Sequence, residues 1–146
     1  MAITVSTTEA RTRWSALFSR AVNDRWPVAI ERGSSDVGFL IGAAELERLL
    51  AERTFTPEAF FEENAVSLWL PEFALYGRGR SFEEAQSDLV DEVRTYVAEY
   101  LADAPLYLRA PNRAEHFPWV LKAYVADAVG RLEDTLFAPT SAGATA

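Results

Sequence analysis

Val5-Ser6-Thr7-Thr8-Glu9-Ala10-Arg11 decides how the chain begins. Ile3 to Val5 is a β-branched run, and Ser6 and Glu9 stand at capping-box spacing, so each satisfies the other's orphan amide and a helix starts here. Ala10, Trp14, Leu17, Phe18, Ala21 and Val22 then recur at helical spacing, predicting one uninterrupted helix with a single core-facing stripe. Arg11, Arg13 and Arg20 fall off that stripe. Working outward, Pro27-Val28-Ala29-Ile30 predicts a strand, Glu31-Arg32-Gly33-Ser34-Ser35-Asp36 a polar tip, and Val37 to Ile41 the returning strand of a hairpin. Leu46, Leu49 and Leu50 mark a second helix over Ala43 to Arg53. The order is β-α-β-β-α.

A second start signal follows. Thr56-Pro57-Glu58 pairs an N-cap type with a first-turn proline and predicts a brief helix through Phe60 and Phe61. Val66, Leu68 and Leu70 alternate with Ser67 and Trp69, Pro71-Glu72 turns, and Phe73 to Tyr76 resumes extended structure until Gly77 and Gly79 end it. Ser81-Phe82-Glu83-Glu84 is another capping box, continued by Phe82, Ala85, Leu89, Val93, Tyr96, Val97 and Tyr100 as a long amphipathic helix. Pro105 and Pro111 punctuate a connection. Pro118 opens a final helix with Leu121, Tyr124, Ala128, Leu132 and Leu136 on one face. The expected organisation is an α+β chain with domains at 1–54 and 55–137 and a disordered tail at 138–146.

Composition narrows the chemistry. The 146 residues are 49% hydrophobic, with no cysteine and one histidine. Disulfides, cysteine-ligated zinc and thiol nucleophiles are excluded, as is any two-histidine metal site. Neither a secretory leader nor a membrane-length apolar run is visible, so the expectation is a soluble cytoplasmic protein without cofactor or metal. The formal charge of −8 is uneven: residues 1–53 hold seven arginines against seven acids, residues 54–146 seven bases against fifteen acids. A local basic patch can therefore meet a polyanion if the acidic part points elsewhere.

The stretch Ile3 to Leu50 resembles the prevent-host-death (Phd/YefM) antitoxin family. The shared features are Val5 to Arg11 with its Glu-Ala-Arg, the mid-helix Leu17, Pro27-Val28-Ala29-Ile30, the Arg32-Gly33 tip, and Phe39-Leu40-Ile41 leading into Glu45 to Leu50. Glu31, Gly38, Gly42 and Ala43 depart from that pattern. The resemblance implies a homodimer that sets the start of the first helix and the hairpin arginine on palindromic operator DNA. Thr7, Thr8, Arg11, Arg32 and Ser34 are the candidate DNA contacts. A helix N-terminus attracts phosphate, hydroxyls donate beside it, and arginine makes bidentate contacts to guanine or clamps the backbone. From residue types alone, capping and solvated surface account for the same positions.

Val66 to Leu101 is similar to the HicB-type antitoxin half-fold through Leu70-Pro71-Glu72-Phe73 and Gly79-Arg80-Ser81-Phe82-Glu83-Glu84-Ala85. Any hairpin followed by a capped helix shares part of that pattern. Both resemblances imply an antitoxin of a type II toxin-antitoxin system that neutralises a protein toxin and represses its own operon. Trp69, Phe73, Tyr76, Trp119 and Tyr124 are the candidate toxin contacts, each also readable as core. The alternative is a stand-alone transcriptional regulator whose C-terminal part senses a protein or small ligand. No catalytic residue is assigned: Glu83, Glu84, Asp88, Asp91 and Glu92 read as a solvated helix face, and His116 has no nucleophile near it in sequence.

Overall fold

A computed structural model describes residues 3–138, and their contacts divide the chain into two units, Met1–Leu49 and Leu50–Ala146. In the first, β1 (Ile3–Ser6) pairs in parallel with β2 (Val28–Arg32), which pairs antiparallel with β3 (Asp36–Leu40). Parallel neighbours require a crossover, supplied by α1 (Thr7–Thr12) and α2 (Trp14–Val22). The Ser6 hydroxyl accepts the Glu9 N–H at 3.1 Å, so the cap forms where the sequence places it.

The expected single helix is broken at Arg13, whose φ of −116° and ψ of 22° leave the helical region. Thr12 donates its hydroxyl to the Glu9 carbonyl at 3.0 Å, a back-bond that bends helices. The apolar stripe also divides, within α2 itself. Ala10, Leu17 and Ala21 are buried, whereas Trp14, Phe18 and Val22 are 49%, 48% and 42% exposed. The following helix, α3 (Ala43–Leu49), stops short of the expected Arg53 and leaves Leu49 exposed. The core of this unit is small: Val5, Ala10, Leu17 and Val28, flanked by Ile3, Ile30 and Leu40.

The second unit begins with a correction. Glu58–Glu62 is a strand, β4, where a brief helix was expected. Thr56 is no N-cap, because its N–H and hydroxyl donate to the Glu72 carboxylate at 2.9 and 2.6 Å. β4 pairs antiparallel with β5 (Ala65–Leu70) across Glu63-Asn64, and β5 with β6 (Leu75–Gly79). A helix this short gains too few bonds to offset nucleation, so a ready strand partner wins. As the alternation predicts, Val66, Leu68 and Leu70 are buried.

α4 (Phe82–Ala102) starts at Ser81, whose hydroxyl accepts the Glu84 N–H at 3.2 Å. β6 ends at Gly79, as expected, with Gly77 inside it, and the two glycines admit the helix against the strand. A Cβ on Gly77 would stand 2.5 Å from the Ala85 carbonyl, and one on Gly79 2.4 Å from the Glu84 Cβ. Leu89, Val93, Val97 and Tyr100 of α4 close over Leu68, Leu70 and Phe73 to form the larger core.

The connection around Pro105 and Pro111 is itself helical, as α5 (Ala104–Arg109) and α6 (Pro111–Ala114), with each proline in a first turn. The expected final helix is two: α7 (Phe117–Ala128) and α8 (Leu132–Phe137). Gly130, at φ 75°, ends α7 while the Gly130 and Arg131 N–H groups donate back to Asp127 and Ala126, the Schellman arrangement. The buried face of α7 is consequently Val120, Ala123, Val125 and Ala126, with Tyr124 and Ala128 exposed. Of the expected tail, 139–146 lies outside the described residues.

Candidate functional site

In the first unit, Thr7 opens α1 beside the end of β2, because Ser6 registers opposite Glu31. Thr7 and Arg32 thereby line one shallow depression of about 380 Å³, with Ile30, Asp36, Val37 and Phe39 as its other walls. Thr8, Arg11 and Ser34 do not line it, although all three are exposed. Arg11 lies one turn beyond Thr7, on the same side of α1. It makes no ion pair among the described residues, whereas Arg13, Arg20, Arg25 and Arg32 reach Glu9, Asp24, Glu45 and Asp36. Arg32 holds Asp36 at 2.8 Å. α1 has six residues, so its macrodipole is slight and the expected attraction of phosphate must come from side chains.

The five aromatic candidates of the second unit part company. Phe73 is 1% exposed and belongs to the core, its ring tilted against those of Phe55 at 5.6 Å and Tyr96 at 5.1 Å, which corrects its expected place at a surface. Trp69 and Tyr76 are cross-strand neighbours on the sheet face away from the core, ring centroids 4.5 Å apart, with the Arg78 guanidinium over Tyr76. Trp119 is half-buried between Phe55 and Arg53. Tyr124 is exposed beside an apolar groove of about 250 Å³ between α4 and α7, which the Arg94–Asp127 ion pair at 3.0 Å borders.

The acids of α4 also resolve. Asp88 and Glu84 accept the backbone N–H groups of Arg78 and Arg80 at 2.8 Å each, so they tie the helix to β6. Among the described residues no group of three or more acids and histidines is placed to hold a metal.

Sequence reasoning missed one polar network. Arg113 Nη1 donates to the Tyr96 hydroxyl at 3.0 Å, and that hydroxyl lies 2.5 Å from His116 Nδ1. Arginine only donates, so the Tyr96 O–H is left to donate a hydrogen bond to Nδ1, which suits a neutral His116 carrying its proton on Nε2. Burial lowers the His116 pKa, the Arg113 charge adds to this, and Glu115 opposes it. Arg113 and His116 lie 17 and 20 positions from Tyr96 in the chain, and no local signal joins them to it.

Over residues 1–135 the chain matches the family described as antitoxin of toxin-antitoxin, RelE / RelB, TA system. It belongs to that antitoxin family. The antitoxin is also similar to a solved structure from Syntrophomonas wolfei subsp. wolfei, described as the antitoxin part of a proposed toxin/antitoxin system. The two share 26% identity and a TM-score of 0.71, over 90% of this chain and 94% of that one. No curated protein gives a significant match. Among the described residues no helix of the antitoxin is long and apolar enough to cross a membrane.

Proposed function

We propose that this antitoxin neutralises a cognate protein toxin by direct binding through its acidic C-terminal part and represses its own operon as a non-enzymatic DNA-binding homodimer. In this reading residues 1–54 act in the Phd/YefM manner and residues 55–137 as a HicB-like toxin-binding domain. Thr7, Thr8, Arg11, Arg32 and Ser34 contact operator DNA, and Trp69, Tyr76, Trp119 and Tyr124 contact the toxin.

The observation that carries the DNA reading is Arg11, without an ion pair among the described residues and exposed one turn beyond Thr7, whose own depression is shared with Arg32. A guanidinium one helical turn from a hydroxyl that itself borders a second arginine suits a phosphate track with one base-reading side chain. The homodimer is supported by the exposed Trp14, Phe18 and Val22, which the small core of the first unit cannot absorb. Two copies repeat the footprint, so the operator is a palindrome. A charge of −8, carried by residues 54–146, suits a basic partner there.

An operator mobility-shift assay tests the DNA contacts. Arg11→Ala is expected to weaken binding by about 1–3 kcal/mol and to relax specificity. Unchanged affinity removes Arg11 from the interface, and no shift of the operon's own upstream DNA by the wild type overturns repression. Co-expression with the product of the adjacent gene, followed by pull-down and growth rescue, tests neutralisation.

A further inference from the structure

The two edges of the β4-β5-β6 sheet are treated differently. Asp88 accepts the N–H of Arg78 in β6, and Glu84 that of Arg80 just past its end. Along β4 all five residues are exposed, Phe61 by 70%. Among the described residues no backbone group of β4 bonds beyond the ladder with β5. An antiparallel edge strand leaves alternate N–H and C=O groups unpaired, and such edges are usually covered, kinked or broken by charge within the strand.

The side chains along this edge define what suits it. Glu58 lies opposite Trp69 and Phe60 opposite Ser67, so Glu58, Phe60 and Glu62 project on the face that carries Trp69 and Tyr76. That row reads acidic, aromatic, acidic. A second copy is a poor occupant. Antiparallel pairing centred on Phe60 sets one copy's Glu58 against the other's Glu62 at both ends. In-register parallel pairing sets each glutamate beside itself, and like charges placed directly opposite destabilise a ladder.

The geometry points to strand addition at β4 by an extended segment of the toxin with the pattern basic-x-apolar-x-basic. Its two cations lie beside Glu58 and Glu62 and its apolar side chain beside Phe60, with Trp69 and Tyr76 widening the contact. Main-chain bonds supply affinity, and the charges set register and exclude self-pairing. This rests on the toxin-binding reading above and adds where the toxin engages and with what sequence.

The test uses the full chain and two blocked heptapeptides, Thr-Lys-Thr-Ile-Thr-Lys-Thr and Thr-Glu-Thr-Ile-Thr-Glu-Thr, with amide exchange read by NMR. The lysine peptide at saturation is expected to slow the outward β4 amides roughly tenfold or more and the glutamate peptide to leave them unchanged. The double substitution Glu58→Lys, Glu62→Lys, at exposed positions, is expected to exchange the two preferences. Equal protection by both peptides, protection by neither, or protection that rises with protein concentration alone overturns the proposal. A toxin that binds the antitoxin without protecting β4 overturns strand addition and leaves toxin binding standing. A toxin that fails to bind overturns that reading, and with it the occupant proposed here.

Discussion

Arg32 and Asp36 close the β2–β3 hairpin, two guanidinium nitrogens holding one carboxylate oxygen at 2.8 and 3.2 Å. The pair is exposed, and such pairs contribute at most about 1 kcal/mol, so a phosphate competes for Arg32 at little cost. Asp36→Asn is therefore expected to raise operator affinity severalfold, and Arg32→Ala to lower it on all sequences and reduce the salt slope by about one. Titration of the mobility shift against salt reads both. A slope that neither substitution changes takes Arg32 off the phosphate.

Trp14, Phe18 and Val22 recur every fourth residue along one side of α2. Burying a large apolar side chain is worth about 1.5–3 kcal/mol, and a symmetric contact counts each one twice. Phe18→Arg should convert a dimer to a monomer by light scattering while circular dichroism stays native. A variant that keeps the wild-type mass places the dimer contact elsewhere.

Two aromatic residues of the second unit should respond in opposite ways. Phe73→Ala opens a cavity in the core and is expected to cost about 3–5 kcal/mol in urea unfolding. Tyr124→Ala, at a side chain 54% exposed, should stay within about 0.5 kcal/mol of wild type yet weaken toxin binding. Equal destabilisation by the two would contradict the packing described.

Gly77 has no room for a methyl group, since the added Cβ would meet the Ala85 carbonyl and the Leu89 Cβ at 2.5 Å. Forcing α4 away from β6 is expected to cost about 1–3 kcal/mol in Gly77→Ala. The urea midpoint falls with the slope unchanged if the fold survives.

The folded state holds His116 below its ordinary pKa of 6.5, burial being the main cause. Protonation is thus easier in the unfolded chain, so this group's contribution is fully present above about pH 6.5 and lost as pH falls through the lower folded value. Acid also reverses the Tyr96 contact, because a protonated Nδ1 can only donate, and it brings a second positive charge beside Arg113. Melting temperature from pH 8 to 5 should fall less steeply in His116→Asn than in wild type. Parallel profiles would mean that His116 does not titrate in this window.

Helix starts were legible in the sequence because a cap is local: Ser6 with Glu9 and Ser81 with Glu84 lie three residues apart and form their bonds as expected. The inward alternation of Val66, Leu68 and Leu70 was legible for the same reason, since a strand's two faces repeat every second residue. Gly130 was a stop signal in plain view, yet apolar periodicity carried the expected helix past it. Other features depended on partners far along the chain. Glu58 to Glu62 became a strand because β5 was there to pair with it, and Thr56 turned from cap to tether because Glu72 lies 16 residues away. The apolar spacing of Trp14, Phe18 and Val22 showed that they share a helix side, but only tertiary packing decided that this side faces outward. Sequence determines bonds within a turn; which surfaces meet depends on competition among distant segments, and that competition is settled when the chain packs.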